Sequence, residues 1–373
     1  MKSALVLTTI NIPNILLDYA NNFEKYGHKN DVDFILIGDL NTPSGAIKII
    51  DEISKRGFKT IYFDIEKQKK WLKRFRKLDK IIPYNSDNRR NIGYLLAKER
   101  GNEIIISIDD DNYPQKNEDY LLGHSIVGQK KELVEFSSCN DWYNICRHLK
   151  TKPKRIIYPR GFPYSKRWKD NQMLNKGFGK IVVNAGLWLQ NPDVDAITNL
   201  NESIETIKAD KQQYLLSSGT FSPINTQNTA FHVDILSCYW SVRMGKVIRG
   251  NKIDRYGDIW SGFFAQKVIN HMGDRVSFGL PIVVHRRNKH NFIKDLQQEL
   301  PGIILTEKLM PILESIELSN GNYSESYLDL SEKIREAVEK SKNFFSEEKK
   351  YFQEITKEMK IWVESVNKIN NET

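Results

Sequence analysis

Apolar runs and polar breaks alternate with regular spacing along the first 110 or so residues. Residues 4–10 (ALVLTTI) are apolar as far as Thr8 and Thr9, and Asn11 and Pro13 follow at once, which predicts a strand and then a loop. Residues 14–26 carry apolar positions at helical spacing. Residues 33–38 read as a second buried strand closing on Gly38 and Asp39, 44–57 as a helix stopping at Gly57, and 58–63 as a third strand. Residues 87–100 predict a helix running into Gly101, and 103–108 (EIIISI) a further buried strand ending in Asp109, Asp110 and Asp111. Strands that are apolar throughout, and that alternate with helices, predict an α/β protein with a mostly parallel central sheet covered on both faces.

From about 130 to 300 the pattern loosens and is rich in aromatics and glycine, with short apolar runs at 181–189 and 279–284. From about 323 onward it becomes helical and charged. Phe344, Phe345, Phe352, Ile355, Met359, Trp362, Val363 and Val366 recur near 3.6-residue spacing. That stripe predicts C-terminal helices packed on the domain, with an oligomer contact or a membrane-facing helix as the alternatives.

In open parallel sheets ligands collect at the carboxyl ends of the strands. Thr8–Thr9, Gly38–Asp39 and Asp109–Asp111 all fall at such predicted ends. Closely packed carboxylates repel one another unless a cation sits between them. Mn²⁺ or Mg²⁺, held by one or two carboxylates and phosphate oxygens, satisfies the triplet, with an acidic turn as the plainer reading. Arg89 or Arg90, near a helix start, could pair bidentately with a phosphate. Arg160, in the rigid loop Tyr158–Ser165 (YPRGFPYS), is either a structural clamp or a substrate-facing charge. Asp258 opens an apparent helix and could stabilise an oxocarbenium-like centre or accept a hydroxyl proton. His285 follows an apolar strand and could complete a metal shell, and Arg286 and Arg287 beside it favour a phosphate-facing place.

Composition sharpens the choice of partner. Of 373 residues, 40% are apolar, enough for a sizeable core, and the net charge of +9 (pI about 9.1) suits an anionic partner. A nucleotide diphosphate, a nucleic acid and an acidic membrane surface all qualify, against a merely Lys-rich surface. Residues 67–80 (KQKKWLKRFRKLDK) tempt toward nucleic acid or membrane but read best as a solvated amphipathic helix, and no RNP, KH or zinc-finger pattern supports nucleic acid. Cys139, Cys146 and Cys238 show no metal spacing and no disulfide framework, which fits a reducing compartment. The first seven residues are too short an apolar run for a signal peptide, and no stretch approaches a membrane span. The expected location is the cytoplasm, with peripheral contact at the inner face of a membrane left open.

These residues resemble the reversibly glycosylated polypeptides, the plant UDP-arabinopyranose mutases. The matching stretches are ISIDDDNYP at 106–114, YPRGFPYSKR at 158–167, VNAGLWLQNPDVDAITNL at 183–200, GTFSPINTQNTAF at 219–231, RYGDIWSGFFAQKV at 255–268 and GLPIVVHRRNKHNF at 279–292. VLTTI at 6–10, LIGDLNTP at 36–43 and PYNSDNRRNIGYLLA at 83–97 also look like the STELLO glycosyltransferase-like domain. The resemblance implies a glycosyltransferase type-A (Rossmann-like) fold, a UDP-sugar and Mn²⁺ or Mg²⁺. It maps the acidic triplet onto Asp109, Asp110 and Asp111, the family's glycosylated arginine onto Arg160, the Asp of a DDMW-like motif onto Asp258, and a histidine after a GLPYIW-like strand onto His285. Gly257 replaces the first Asp of that motif. A guanidinium, with a pKa above about 12, is a poor obligatory nucleophile, so Arg160 as a diphosphate clamp stays open beside Arg160 as acceptor.

The expectation is a type-A domain over 1–318, with a nucleotide-binding half at 1–115 and a sugar and acceptor half at 116–318, and a helical extension over 319–373. Thr8, Thr9, Gly38, Asp39 and Asp110 lie near the nucleotide, and Arg89 or Arg90 contacts phosphate. Asp109, Asp111 and His285 face the metal, and Arg160 and Asp258 face the sugar. The first reading is a transferase of surface polysaccharide or glycoconjugate biosynthesis, with a glycan or lipid-linked acceptor. A pyranose–furanose mutase with self-glycosylation follows, then a non-catalytic scaffold whose C-terminal helices make the contact with a partner or a second copy.

Overall fold

The computed structural model describes residues 1–169, 171–288 and 291–372, so the end of the 255–290 stretch, including His290, lies outside the described residues. In chain order the strands are β1 (Ser3–Thr8), β2 (Val32–Ile37), β3 (Lys59–Phe63), β4 (Ile104–Ile108), β5 (Asn112–Pro114), β6 (Lys130–Ser138), β7 (Leu149–Lys152), β8 (Gln172–Gln190), β9 (Glu205–Ala209), β10 (Gln213–Leu216), β11 (Asn228–His232), β12 (Val247–Ile248), β13 (Asn251–Lys252) and β14 (Arg275–His285). The α-helices are α1 (Ile15–Lys25), α2 (Ala46–Lys55), α3 (Ile65–Leu72), α4 (Arg76–Asp79), α5 (Arg90–Glu99), α6 (Tyr120–His124), α7 (Ala196–Asn201), α8 (Gly257–His271), α9 (Phe292–Ser315), α10 (Tyr323–Lys340) and α11 (Ser346–Glu372).

The sheet starts in the order β3-β2-β1-β4, all parallel, and continues through β11, β8, β6, β10, β14 and β5. Beyond β4 it is mixed: β11 runs antiparallel to both β4 and β8, whereas β14 lies parallel to β8. The parallel half explains why its strands lack polar alternation. Phe34 of β2 meets Phe23 of α1 across 5.7 Å on one face. Val6 and Ile37 point the other way, to α5, where a Cβ on Gly93 would stand 2.5 Å from Val6 Cγ1. Both faces are buried, so both carry apolar side chains.

The C-terminal helices join the same core. Phe344, Phe352, Ile355, Met359, Trp362, Val363 and Val366 are buried, with Phe345 left exposed. Trp362 packs with its ring 5.3 Å from Trp240, tilted by 41°, and donates its indole N–H to Leu236 O at 2.8 Å. The apolar stripe is thus spent on the chain's own domain, which leaves little of it for an oligomer or a membrane. Among the described residues no helix is long and apolar enough to cross a membrane.

Three elements differ from the expected ones. The single helix over 67–80 is two, α3 and α4, separated at Phe75 (φ −121°, ψ 56°), whose ring turns inward against Trp71 at 4.7 Å. Its basic side chains are partly neutralised within the molecule, Arg74 by Glu99 and Glu372 and Lys77 by Glu364 at 2.8 Å. The apolar run at 181–189 is only the buried part of the 19-residue β8, whose first half is an exposed arm paired with β6. Helix α9 begins at Phe292, well before 323, and holds Pro301 and Pro311 inside it.

Candidate functional site

Three strand ends converge as the spacing implied. Thr8 and Thr9 after β1, Asp39 after β2 and Asp109–Asp111 after β4 line one cleft of about 470 Å³, with Asp87, Arg89, Arg90, Arg255 and Asn288. That volume is in the range of small-ligand sites. Gly38, Arg160, Asp258 and His285 are not among its lining residues. Gly38 shapes the wall instead: its carbonyl accepts from Gln68 Nε2 at 2.7 Å, and a Cβ there would meet the Tyr62 ring at 3.0 Å.

The acidic triplet divides its work. Asp110 is tied to the β1 loop, its Oδ2 accepting from Thr9 Oγ1 at 2.5 Å and Asn11 Nδ2 at 2.9 Å. Asp109 turns to Arg90, which donates to its Oδ1 from Nη2 at 2.8 Å. Burial pushes the Asp109 carboxyl up to about 6; Arg90 opposes this, and the charges of Asp111 and Asp258 add to it. Asp111 lies beside His285, Oδ2 to Nε2 3.3 Å. The antiparallel pairing of β14 with β5 sets this contact, because His285 is in register with Asn112. His285 Nδ1 lies 2.6 Å from Asn191 O, and a carbonyl only accepts, so that nitrogen carries the proton. A neutral ring then presents the Nε2 lone pair to a carboxylate. A proton or a cation must lie between them, and a ring nitrogen fixed by a backbone carbonyl is the usual outer support of a metal-ligating histidine.

Among the described residues no three His, Cys, Asp or Glu side chains converge to hold an ion. The donors in place are two, Asp111 and His285. That set fits a Mn²⁺ or Mg²⁺ whose remaining ligands come from phosphate oxygens and water. Asp109, expected as a third metal-facing group, is engaged by Arg90 instead.

The two arginines expected at phosphate are committed to protein. Arg89, 2% exposed, donates to Gln68 Oε1 at 2.5 and 2.9 Å and to Pro83 O at 3.3 Å, and stacks over Tyr84. Arg90, 4% exposed, donates to Ser107 Oγ, Thr226 O and Oγ1, and Asp87 O besides Asp109. A buried guanidinium whose three nitrogens all donate to protein fixes the loops around a site rather than reaching into it. Arg287 donates to Asn199 Oδ1 and Pro192 O, whereas Arg286 is exposed and lies over the Tyr113 ring.

Arg160 is a clamp of the same kind. Its Nε and Nη2 donate to Asp193 at 3.0 and 3.2 Å, Nη2 reaches Asp258 Oδ2 at 3.2 Å, and Nη1 bonds the carbonyl of Arg255. Burial opposes its charge, but Asp193 and Asp258 outweigh burial and hold the guanidinium protonated well beyond its ordinary range. Asp258, in the first turn of α8, is buried, and its charge adds to the burial that raises the carboxyls of Asp87 and Asp109. Gly257 has a steric cause in this chain: a Cβ there would stand 2.3 Å from Val242 O.

The sequence pattern assigned no role to Asp193, Asn191 or Glu299, nor to the cleft-lining Arg255, although Arg255 opens the 255–290 stretch. For Asn191 and Asp193 a signal existed, since they follow the apolar run at 181–189 just as the acidic triplet follows β4. Nothing local marks Glu299, which sits 44 residues beyond its partner Arg255.

Residues 49–371 match the family model described as reversibly glycosylated polypeptide. A curated relative, the probable UDP-arabinopyranose mutase 1 of Pisum sativum, is 26% identical over 293 residues, 78% of this chain and 74% of that protein. UDP-arabinopyranose mutase 3 of Arabidopsis thaliana is 27% identical over 297 residues, with the same coverage. Among solved structures, glucosyl-3-phosphoglycerate synthase from Mycobacterium tuberculosis, crystallised with Mn²⁺, UDP and phosphoglyceric acid, aligns at a TM-score of 0.41 and 12% identity over 85% of this chain and 80% of that one. With the family match spanning most of its length, the chain belongs to the reversibly glycosylated polypeptide family.

Proposed function

We propose that the chain is an enzyme that binds a nucleoside diphosphate sugar, a UDP-sugar by family, in the cleft at the ends of β1, β2 and β4, and that it interconverts ring forms of that sugar as a mutase. The observation that carries the reading is the meeting of cleft-lining Asp111 with a His285 whose Nδ1–H is fixed by Asn191, beside a cleft lined by three strand ends. Asp111 and His285 would hold Mn²⁺ or Mg²⁺ there, and such an ion supplies neutralisation of the charge that grows on a departing diphosphate. Thr8, Thr9 and Asp39 bound the nucleotide. Asp258 supplies negative charge to a cation-like sugar, and Arg160 holds that carboxylate in place. The curated relatives named as UDP-arabinopyranose mutases favour the mutase over the transferase that the sequence alone ranked first.

One observation favours a second reading, transfer to an outside hydroxyl on a glycan or lipid-linked acceptor. The wall that carries an additional Asp in the family pattern has no space for any side chain at Gly257. The test is incubation of the protein and Mn²⁺ with a panel of nucleotide sugars, read by liquid chromatography and intact mass. A new isomer of unchanged mass supports the mutase. Slow release of free nucleoside diphosphate supports a transferase lacking its acceptor. Neither, with Asp111→Ala leaving the biological role intact, would leave the chain a scaffold.

A further inference from the structure

Three arginines line the cleft, facing five carboxylates from Asp39, Asp87, Asp109, Asp110 and Asp111. A diphosphate entering such a site needs positive charge from the protein as well as from any bound ion. Arg89 and Arg90 are 2% and 4% exposed, and every guanidinium nitrogen of each already donates to protein. Arg255 differs from both. Its side chain is 31% exposed, and among the described residues its one side-chain hydrogen bond runs from Nε to Glu299 Oε1 at 2.9 Å. Nη1 stands 3.6 Å from Asp295 Oδ1, an ion-pair separation beyond hydrogen-bond reach. The outer edge of the guanidinium is therefore available, in the bidentate geometry that suits phosphate.

Arg255 is also held in place deliberately. Its φ is +64°, the left-handed region that non-glycine residues adopt only when their surroundings enforce it. The enforcement is visible: its carbonyl takes Arg160 Nη1, and its Nε is aimed by Glu299, a carboxylate 1% exposed whose second oxygen accepts from Ala196 N at 2.7 Å. The clamp made by Asp193, Arg160 and Asp258 thus ends on the backbone of the one cleft arginine whose two Nη groups make no hydrogen bond among the described residues.

We infer that Arg255 is the guanidinium that meets the diphosphate of the bound nucleotide, and that Glu299 is the positioning residue that aims it. This rests on reading the cleft as a nucleoside diphosphate sugar site. The experiment is calorimetric titration with UDP, GDP, ADP and their nucleosides, on wild type, Arg255→Asn and Glu299→Gln. Asparagine tolerates the left-handed backbone and keeps the carbonyl that Arg160 needs. Arg255→Asn weakens the preferred diphosphate about ten- to a hundredfold, the size of a lost charge-assisted contact, and leaves its nucleoside within about twofold. Glu299→Gln keeps an acceptor and gives a smaller loss, again confined to the diphosphate. Arg255→Lys, which preserves charge without the fork, falls between and stands in if the asparagine variant melts early. Diphosphate affinity unchanged in Arg255→Asn, or lost equally for the nucleoside, overturns the inference while the cleft reading survives. A wild-type protein that prefers no diphosphate over its nucleoside overturns the cleft reading itself.

Discussion

Replacing Asp193 with asparagine tests whether Arg160 is a clamp. Asp193 is 5% exposed and contacts Arg160 twice, and its Oδ2 also accepts from Asn225 Nδ2 at 2.8 Å. Removing one partner of a buried ion pair costs about 3–5 kcal/mol, because the other charge is stranded. Here Asp258 remains against the guanidinium and asparagine keeps one acceptor, so about 2–3 kcal/mol is expected. Over 373 residues an unfolding entropy of about 2.1 cal/mol/K per residue gives about 0.8 kcal/mol/K, hence a Tm lower by about 3–4 °C. Differential scanning calorimetry reads it directly. The pH profile adds a sign. Burial pushes the Asp193 carboxyl up but Arg160 outweighs it, so the folded value lies below the ordinary one. Its stabilisation is complete above the ordinary carboxylate pKa and is lost as pH falls through the lowered value. The gap between wild type and Asp193→Asn should therefore be flat from pH 6 to 8 and close only in strong acid. Asp258→Asn should cost less, about 1–2 kcal/mol, since Asp258 makes the longer contacts to Arg160. A Tm for Asp193→Asn within 1 °C of wild type, or a larger loss in Asp258→Asn, would refute the clamp and return Arg160 to the sugar.

Gly257→Asp, which restores the family's missing carboxylate, should lower stability by several kcal/mol rather than raise activity, because its Cβ meets Val242 O at 2.3 Å; a melting curve at wild-type Tm would contradict this. His28 joins Asp31 and Asp119 at 3.1 and 2.9 Å, and although burial works against its charge these carboxylates outweigh burial and raise its pKa. That stabilisation is present below the ordinary histidine pKa and fades as pH rises through the raised one, so His28→Gln should cost up to about 1 kcal/mol at pH 6 and little at pH 9 in urea titrations. Trp362→Ala removes a fully buried indole and should cost about 3–5 kcal/mol with one cooperative transition; a separate early transition for the C-terminal helices would show that they are not part of the core.

What the sequence disclosed and what it concealed follow from the range of the forces involved. β1, β2 and β4 were legible because each must be apolar on both faces, a constraint written into five or six consecutive residues. The cleft followed, since polar residues at three such strand ends point to one edge of a parallel sheet. Helix α9 was hidden because Pro301 and Pro311 argue locally against a helix that tertiary packing nevertheless maintains. The roles of the arginines were hidden for a different reason. Arg90 spends its donors on Thr226, 136 positions away, and Arg160 on Asp193 and Asp258, 33 and 98 away. No local pattern distinguishes an arginine whose guanidinium will be enclosed by the fold from one that will face a ligand. Burial decides between them, and burial is a property of the assembled chain. Arg255 illustrates the converse: its neighbours in sequence are unremarkable as phosphate-binding signals, yet a backbone clamp from Arg160 and a side-chain clamp from Glu299 leave it partly exposed, with Nη groups free of the hydrogen bonds that engage those of Arg89 and Arg90. In a cleft this rich in carboxylates, the arginine to test first is the one whose two Nη groups the fold has left without a hydrogen bond among the described residues, not the one the motif spacing nominates.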